Sequence, residues 1–222
     1  MEQVLSASGG LPAGSYKLEY SASNQNLLHQ WHGQKLDASA STAVTVAAGG
    51  VLTVANEGLL PGAVVSGSLT LPASLAGEDS SVALVGPNGF SRYLNVDDNN
   101  SFSFDKLPAG TYSIEFNRSS GVSTNSEASF YKDKAESLGA ASATQVTVTT
   151  GEAKTGGLTS TAKTGGTLTG KIVGTDGQPL NNVPVRVYTK DGSLVTRGAN
   201  TIADGTFKVT GSALEATSSR PI

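Results

Sequence analysis

The sequence predicts an all-β protein assembled from repeated seven-stranded β-sandwiches, and three observations support this. Short segments alternate apolar and polar residues, as strands with one buried face do. Turn-forming residues separate these segments, and 27 of the 222 residues are Gly, which allows backbone angles that other residues avoid. The same series of phrases then occurs twice along the chain, which is typical of tandem modules.

Composition excludes several classes of function. The net charge is −3 and Lys and Arg are scattered singly, so we expect no binding to nucleic acid. The absence of Cys excludes disulfides and thiolate metal sites but does not choose a cellular compartment. No stretch approaches 18 apolar residues, and the start "MEQVLSASGG" lacks the features of a signal peptide, so neither a membrane span nor a leader is expected. We interpret the chain as an excised piece of a longer protein.

The clearest repeat pairs "LPAGSYKLEY" (Leu11–Tyr20) with "LPAGTYSIEF" (Leu107–Phe116). In each copy a turn leads into an alternating run, so each predicts a strand with one face in a core. The expected core residues are Tyr16, Leu18 and Tyr20 in the first copy and Tyr112, Ile114 and Phe116 in the second. The intervening residues, including Glu19 and Glu115, are expected to face solvent.

Other phrases recur in the same order on both sides of this pair. Downstream, "QWHGQK" and "STAVTVAAGG" match "SFYKDK" and "ATQVTVTTGE"; upstream, "VVSGSLTL" and "NNSFSF" match "TLTGKIVG" and "DGTFKV". Between the upstream phrases, Asn88-Gly89 and Asp191-Gly192 lie at the centres of predicted hairpins, because a type I′ turn needs positive φ at both positions. Together these phrases give about seven short strands in about 100 residues, the size of an Ig-like sandwich.

The repeats predict one complete module flanked by two incomplete ones. Residues 1–62 would hold the later strands of a sandwich, 63–152 a complete sandwich, and 166–222 the earlier strands of a third. Residues 153–165 are rich in Gly, Thr and Lys, which predicts either a linker or an edge strand.

These phrases resemble a known family. The run "TGKIVGTDGQPLNNVPVRVYTKDG", followed by "IADGTFKV", and the earlier "LPAGTYSIEF" are similar to the carboxypeptidase regulatory-like and Cna B-type repeats of bacterial surface or secreted proteins. The resemblance covers most of the chain and implies a prealbumin-like sandwich fold. It also raises the question of an isopeptide crosslink, which in that family joins a Lys of the first strand to an Asn or Asp of the last. "SGSLTL" has no Lys, which argues against the bond in the middle module, whereas Lys171 occupies the first strand of the third.

Candidate ligand-binding residues are few. His29 and His32 flank Trp31, the only Trp, and with Tyr93 they are candidates for an exposed platform on which a sugar could stack. Residues three apart on a strand face opposite sides, so a structural role for these aromatic residues is the favoured interpretation. The run Asp97–Asn100 offers oxygen ligands for calcium, but it lacks the spacing of a calcium loop and a polar turn is favoured.

The sequence therefore favours a non-catalytic structural or adhesive module, a stalk or spacer of an extracellular or cell-surface protein. The alternative is an accessory carbohydrate- or protein-binding module of an extracellular enzyme. No nucleophile elbow, zinc-protease motif or phosphate loop occurs, so we expect no catalysis and no cofactor or metal. Expected partners are neighbouring repeats and a cell-surface protein or polysaccharide. Because the two terminal modules together hold one full set of strands, head-to-tail self-association is a further hypothesis, with ends that are disordered or packed on the middle module as the alternative.

Overall fold

A computed structural model describes residues 10–96, 99–117, 125–135, 140–188, 190–192, 194–196 and 199–212. The described chain is all-β, as the sequence predicts, with four short 3₁₀ turns at Ala38–Ala40, Ala73–Leu75, Pro87–Gly89 and Ala140–Ser142. Within those residues no helix has the length and apolar character needed to cross a membrane.

Eighteen strands are present in the described residues. The first four are β1 (Gly14–Tyr16), β2 (Glu19–Tyr20), β3 (Gln30–Trp31) and β4 (Val44–Val46). The next ten are β5 (Ala63–Thr70), β6 (Ser81–Val85), β7 (Ser91–Asn95), β8 (Ser101–Leu107), β9 (Gly110–Phe116), β10 (Ser129–Phe130), β11 (Lys134–Ala135), β12 (Gln145–Val148), β13 (Ala153–Lys154) and β14 (Thr159–Thr161). The last four are β15 (Gly166–Lys171), β16 (Val187–Tyr188), β17 (Leu194–Thr196) and β18 (Thr206–Ser212).

The chain divides into two compact units. The first comprises Met1–Val64 with Asp105–Ala109 and Val148–Ala153, and the second comprises Val65–Phe104, Gly110–Thr147 and Lys154–Ile222. This division follows spatial contacts, so it cuts across β5, β8, β12 and β13. The sequence-derived module boundaries remain a prediction.

Two sheets form the sandwich of the middle module. One has the order β11-β10-β9-β6-β7, with β12 also pairing with β9; the other has the order β13-β5-β14, with β8 also pairing with β5. Their inner faces meet where the Phe102 ring of β8 lies 5.8 Å from the Phe116 ring of β9, edge to face. Aromatic pairs prefer this edge-to-face geometry, and both rings are almost fully buried.

Strand β9 is buried on both faces, which corrects the expectation of one exposed face. Tyr112, Ile114 and Phe116 are buried on the inner face, and Ser113 and Glu115 are buried as well. The reason is position in the sheet. Glu115 lies directly opposite Ala83 of β6 and Phe130 of β10, and directly opposed residues share a face. The neighbouring strands therefore shield the side that alternation alone assigned to water.

The hairpin between β6 and β7 has the predicted turn. Asn88 and Gly89 both adopt positive φ, +55° and +75°, and the Phe90 N–H donates to the Pro87 carbonyl at 3.0 Å. Five antiparallel pairs follow, from Val85 opposite Ser91 to Ser81 opposite Asn95.

Residues 153–165 contain two short strands, β13 and β14. Strand β14 runs parallel to the end of β5, with Thr159 opposite Ser68 and Thr161 opposite Thr70. Strand β13 pairs with β5 as well. Gly156 and Gly157, both with positive φ, separate the two short strands. The segment therefore forms one interrupted strand along β5.

Residues 10–62 reproduce the strand pairing of the later half of the middle module. Glu19 opposes Trp31 in the β2–β3 pair, as Glu115 opposes Phe130 in the β9–β10 pair. The turns that follow β3 and β10 also agree, since Gln34 and Asp133 both have φ of +55°. The sequence repeat is thus a repeat of backbone geometry.

The described part of residues 166–222, the third segment, reproduces the first strands of the middle module. A Cβ on Gly67 of β5 would lie 2.7 Å from the Phe102 ring, and a Cβ on Gly170 of β15 would lie 2.6 Å from the Phe207 ring. In both strands Gly makes room for a Phe from the neighbouring strand, β8 or β18. The two strands differ in their neighbours. Strand β5 pairs with β8, β13 and β14, whereas β15 pairs with β18 alone among the described strands.

Replacing Gly67 by Ala should destabilise the middle module by about 3 kcal/mol, the upper part of the range for overpacking. The added Cβ would lie 2.0 Å from the Leu158 carbonyl oxygen as well as against Phe102. Gly110→Ala is the matched control, because its Cβ would meet its nearest neighbours at an ordinary 3.5 Å. Urea unfolding followed by circular dichroism measures both, and equal midpoints would contradict the close packing at Gly67.

Replacing Phe116 by Ala should cost about 3–5 kcal/mol, because a fully buried ring leaves a cavity. Tyr93→Ala removes a ring that is 47% exposed and should cost under about 1 kcal/mol. Thermal unfolding of the two variants measures the difference. A loss at Phe116 no larger than that at Tyr93 would show that Phe116 is not a core residue.

Candidate functional site

The β2–β3 hairpin of the first unit holds three of the four candidate residues. A tight turn joins strand β3 to Lys35. The Trp31 N–H donates to the Lys35 carbonyl at 2.6 Å, and the Lys35 N–H donates to the Trp31 carbonyl at 3.0 Å. Gly33 and Gln34 form the turn with positive φ. These bonds fix the directions of the side chains on either side of the turn.

One face of the hairpin carries His29, Trp31 and Glu19. The His29 Nε2 lies 2.8 Å from a Glu19 carboxylate oxygen, and both side chains are about half exposed. The His29 and Trp31 rings meet edge to face with centroids 6.4 Å apart, and Trp31 is half-buried. This face, defined by Glu19, His29 and Trp31, is named the indole face.

The opposite face carries His32, which the alternation of the strand separates from His29. The His32 Nδ1 lies 2.6 Å from a Glu57 carboxylate oxygen and 3.3 Å from the Tyr20 hydroxyl. Glu57 also accepts a hydrogen bond from the Gln34 N–H. This carboxylate therefore ties the segment after β4 to the tip of the hairpin.

Gln30 lies beside this cluster and is fully buried. Its Nε2 donates to the Gly58 carbonyl at 3.3 Å, and its Oε1 accepts from the Leu60 N–H at 3.0 Å. Buried amides are stable only when paired in this way. Gln30 and Glu57 together anchor residues 57–60. Neither role could be predicted from the alternation or spacing of the sequence, because each depends on a partner 25 or more residues away.

The surroundings of Glu57 shift two pKa values. Desolvation opposes ionisation of Glu57, but the hydrogen bonds from the Gln34 N–H and from His32, together with the charge of His32, hold its pKa below the ordinary value of 4.5. Desolvation raises the pKa of Tyr20, and the charge and hydrogen bonding of Glu57 raise it further. Both shifts favour an ionised Glu57 beside a neutral phenol at neutral pH.

Tyr93 belongs to the second unit and is 47% exposed. Its hydroxyl donates to the Asn95 Oδ1 at 3.0 Å. In the run Asp97–Asn100, for which a polar turn is the favoured interpretation, Asp97 and Asp98 lie outside the described residues. Asn100 has a φ of +57°, a conformation that Asn tolerates in turns.

The remaining core candidates of the first unit are less buried than their matches in the middle module. Tyr16, Leu18 and Tyr20 are half-buried, while Ser15, Lys17 and Glu19 between them are exposed. The alternation is present, but these three side chains line a partly open face. Among the described residues no group of three or more His, Cys, Asp or Glu side chains is placed to hold a metal ion.

Comparison with known proteins adds a limited likeness. No family model matches the chain, and no curated protein matches it. Among solved structures, the Bacillus anthracis TIE protein matches with a TM-score of 0.30 and 17% identity over 89% of this chain and 35% of that one. A streptococcal ancillary pilin matches with a TM-score of 0.33 and 13% identity over 90% of this chain and 63% of that one. This chain spans less than two thirds of either protein, and likeness at these scores carries no inference about function.

Replacing Glu57 by Gln should change how the stability of the first unit depends on pH. Because the folded-state pKa of Glu57 is lowered, its contribution is present above pH 4.5 and is lost as the pH falls through the folded-state pKa. The variant should be less stable at pH 7 and lose less stability on acidification. Urea unfolding followed by the fluorescence of Trp31, at several pH values from 7 to 3, measures this.

The neighbouring change Asn56→Gln is the matched control, because it alters an exposed uncharged residue. It should follow the unchanged protein at every pH. Parallel pH profiles for Glu57→Gln and the unchanged protein would show that the bond to His32 contributes nothing to folding.

Proposed function

We propose that this chain is a non-catalytic structural module, a spacer or stalk of an extracellular or cell-surface protein. The observation that carries the proposal is the repeated strand pairing: Glu19 opposite Trp31 and Glu115 opposite Phe130, with Gly67 and Gly170 each packed against a Phe. Serial repetition of one sandwich sets length, because each module adds a similar increment. The module boundaries at residues 62, 152 and 165 belong to this proposal.

The composition supports the same proposal. Charged residues make up 15% of the chain and Cys is absent, so the modules are held together without disulfides. The middle sandwich buries a continuous set of large apolar side chains, including Leu69, Leu84, Ile114 and Phe104. Burial of each contributes on the order of 1.5–3 kcal/mol, which suits a stable structural module.

A second candidate function is an accessory carbohydrate-binding module. The observation that favours it is the indole face, where a half-exposed carboxylate and imidazole flank the only Trp. Aromatic rings bordered by hydrogen-bonding groups suit sugars, which present both C–H faces and hydroxyls. Tyr93 belongs to a different unit, so the indole face stands without it.

Binding to insoluble polysaccharides separates the two functions. The unchanged chain should bind neither cellulose, chitin nor peptidoglycan, and Trp31→Ala should behave identically, because a spacer presents no sugar site. The measurement is depletion of protein from solution, with Tyr93→Ala as a matched aromatic control. Binding that Trp31→Ala abolishes and Tyr93→Ala preserves would overturn the spacer proposal and establish the carbohydrate-binding function.

A further inference from the structure

The first and last strands of the middle sandwich lie side by side. Strand β5 is the first and β14 the last of the strands that form its two sheets, and the two pair directly and in parallel. Because parallel strands run in the same direction, the chain enters β5 at one end of their shared ladder and leaves β14 at the other. Tension along the chain would therefore slide the two strands past each other, a loading called shear.

Backbone hydrogen bonds join the two strands along the whole ladder. The ladder contains three residue pairs. At one end the Ser68 N–H donates to the Leu158 carbonyl at 3.2 Å, and at the other the Ala162 N–H donates to the Thr70 carbonyl at 2.9 Å. Under shear these bonds carry the force together and must break together. Strands pulled apart from one end lose the same bonds one at a time.

Apolar contacts on the inner face add to the resistance to sliding. Leu158 and Ala162, which flank β14, are 6% and 3% exposed. The Leu158 backbone and side chain pack directly over Gly67 of β5. Sliding of β14 along β5 would displace both side chains from these buried places and expose apolar surface to water, which costs free energy.

A second contact joins β14 to the opposite sheet, through the turn between β10 and β11. The Oδ1 of Asp133 in this turn accepts hydrogen bonds from the Ser160 hydroxyl and from the Thr161 N–H, both at 2.7 Å. The Asp133 N–H donates in return to the Ser160 hydroxyl oxygen at 3.2 Å. The group formed by Asp133, Ser160 and Thr161 is named the Asp133 latch.

The Asp133 latch is built on an ionised carboxylate. The hydrogen bonds from the Thr161 N–H and the Ser160 hydroxyl hold the pKa of Asp133 below its ordinary value of 3.8, and the charge of Lys163 lowers it further. Hydrogen bonds to an ionised group are shorter and stronger than those between neutral groups. The latch therefore fixes β14 at the position where the chain leaves the ladder.

We propose that β5 and β14, together with the Asp133 latch, form a mechanical clamp with which the middle module resists tension along the chain. The clamp is strongest in the direction in which the flanking parts of the chain pull, because the chain enters at β5 and leaves after β14. This inference rests on the proposed spacer function, since a spacer transmits tension between the parts that it joins.

Pulling the full chain in two directions by single-molecule force spectroscopy tests the clamp. Because the chain has no Cys, two introduced Cys residues are the only points to which handles attach. The pair Ser66→Cys/Lys163→Cys loads the ladder in shear. The pair Thr70→Cys/Lys163→Cys places both handles at the same end of the ladder and peels it apart. In both pairs, the residues before the first handle and after Lys163 lie outside the path of the force.

At equal force, unfolding in shear should be at least about tenfold slower than unfolding by peeling, because the bonds must break together. The measured quantity is the unfolding rate, which governs forced unfolding. Both pairs should keep the circular dichroism spectrum of the unchanged protein. Thr70 and Lys163 are exposed, and Cys is close in size to the Ser that it replaces at position 66.

Adding Ser160→Ala to the shear pair tests the Asp133 latch. The change removes the hydroxyl that donates to Asp133 and accepts from its N–H, so unfolding under force should be at least about tenfold faster. Thr161→Ala is the matched control, because its side chain is exposed and the variant keeps the N–H that donates to Asp133. It should change the rate by no more than about twofold.

Two results would overturn the proposal: equal unfolding rates in the two pulling directions, or a Ser160→Ala variant that unfolds no faster than Thr161→Ala. Either result leaves the spacer function intact, since a spacer can set a length without resisting force. Polysaccharide binding that Trp31→Ala abolishes would overturn the spacer function instead, and the difference between the two pulling directions would be unaffected by it.

Discussion

Completion of the edges of one strand, β5, is the constraint on which the middle module depends. The backbone N–H and C=O groups of a buried strand need partners on both sides, since an unpaired buried group costs as much as a lost hydrogen bond. Strand β8 serves one side and β13 with β14 the other. Gly67 makes this possible, because any side chain there would collide with both the Phe102 ring and the Leu158 carbonyl. One residue without a side chain thus lets the strand be covered from two directions.

The alternating pattern was sufficient to identify β9 as a strand but not to predict how deeply it is buried. Tyr112, Ile114 and Phe116 lie on the inner face of β9 because a period of two places them there in any sheet. Whether Glu115 meets water depends instead on Ala83 and Phe130 in the neighbouring strands. That information lies in the order of the strands, which local periodicity does not contain.

Residues 153–165 and 57–60 show two further limits of the sequence. Strand β14 is "TST", and its pairing comes from backbone bonds to β5, so its side chains give little strand signal. Gln30 and Glu57 join segments that are distant in sequence, and a single sequence does not indicate which distant groups meet. In the candidate site, the alternation of the strand correctly places His29 and His32 on opposite faces. Their partners, Glu19 and Glu57, could not be predicted, because Glu19 reaches His29 only when β2 lies beside β3 and Glu57 reaches His32 only when the later segment folds back.

The first unit is held together by contacts between segments that are distant along the chain. Residues 57–60 are held by Gln30 and His32, and β4 is paired with β1, so the residues between β4 and residue 57 are attached at both ends. A segment held in this way has less conformational freedom than a free tail, because its ends are already placed. The short strands of this unit therefore depend on long-range polar contacts as well as on their own alternation.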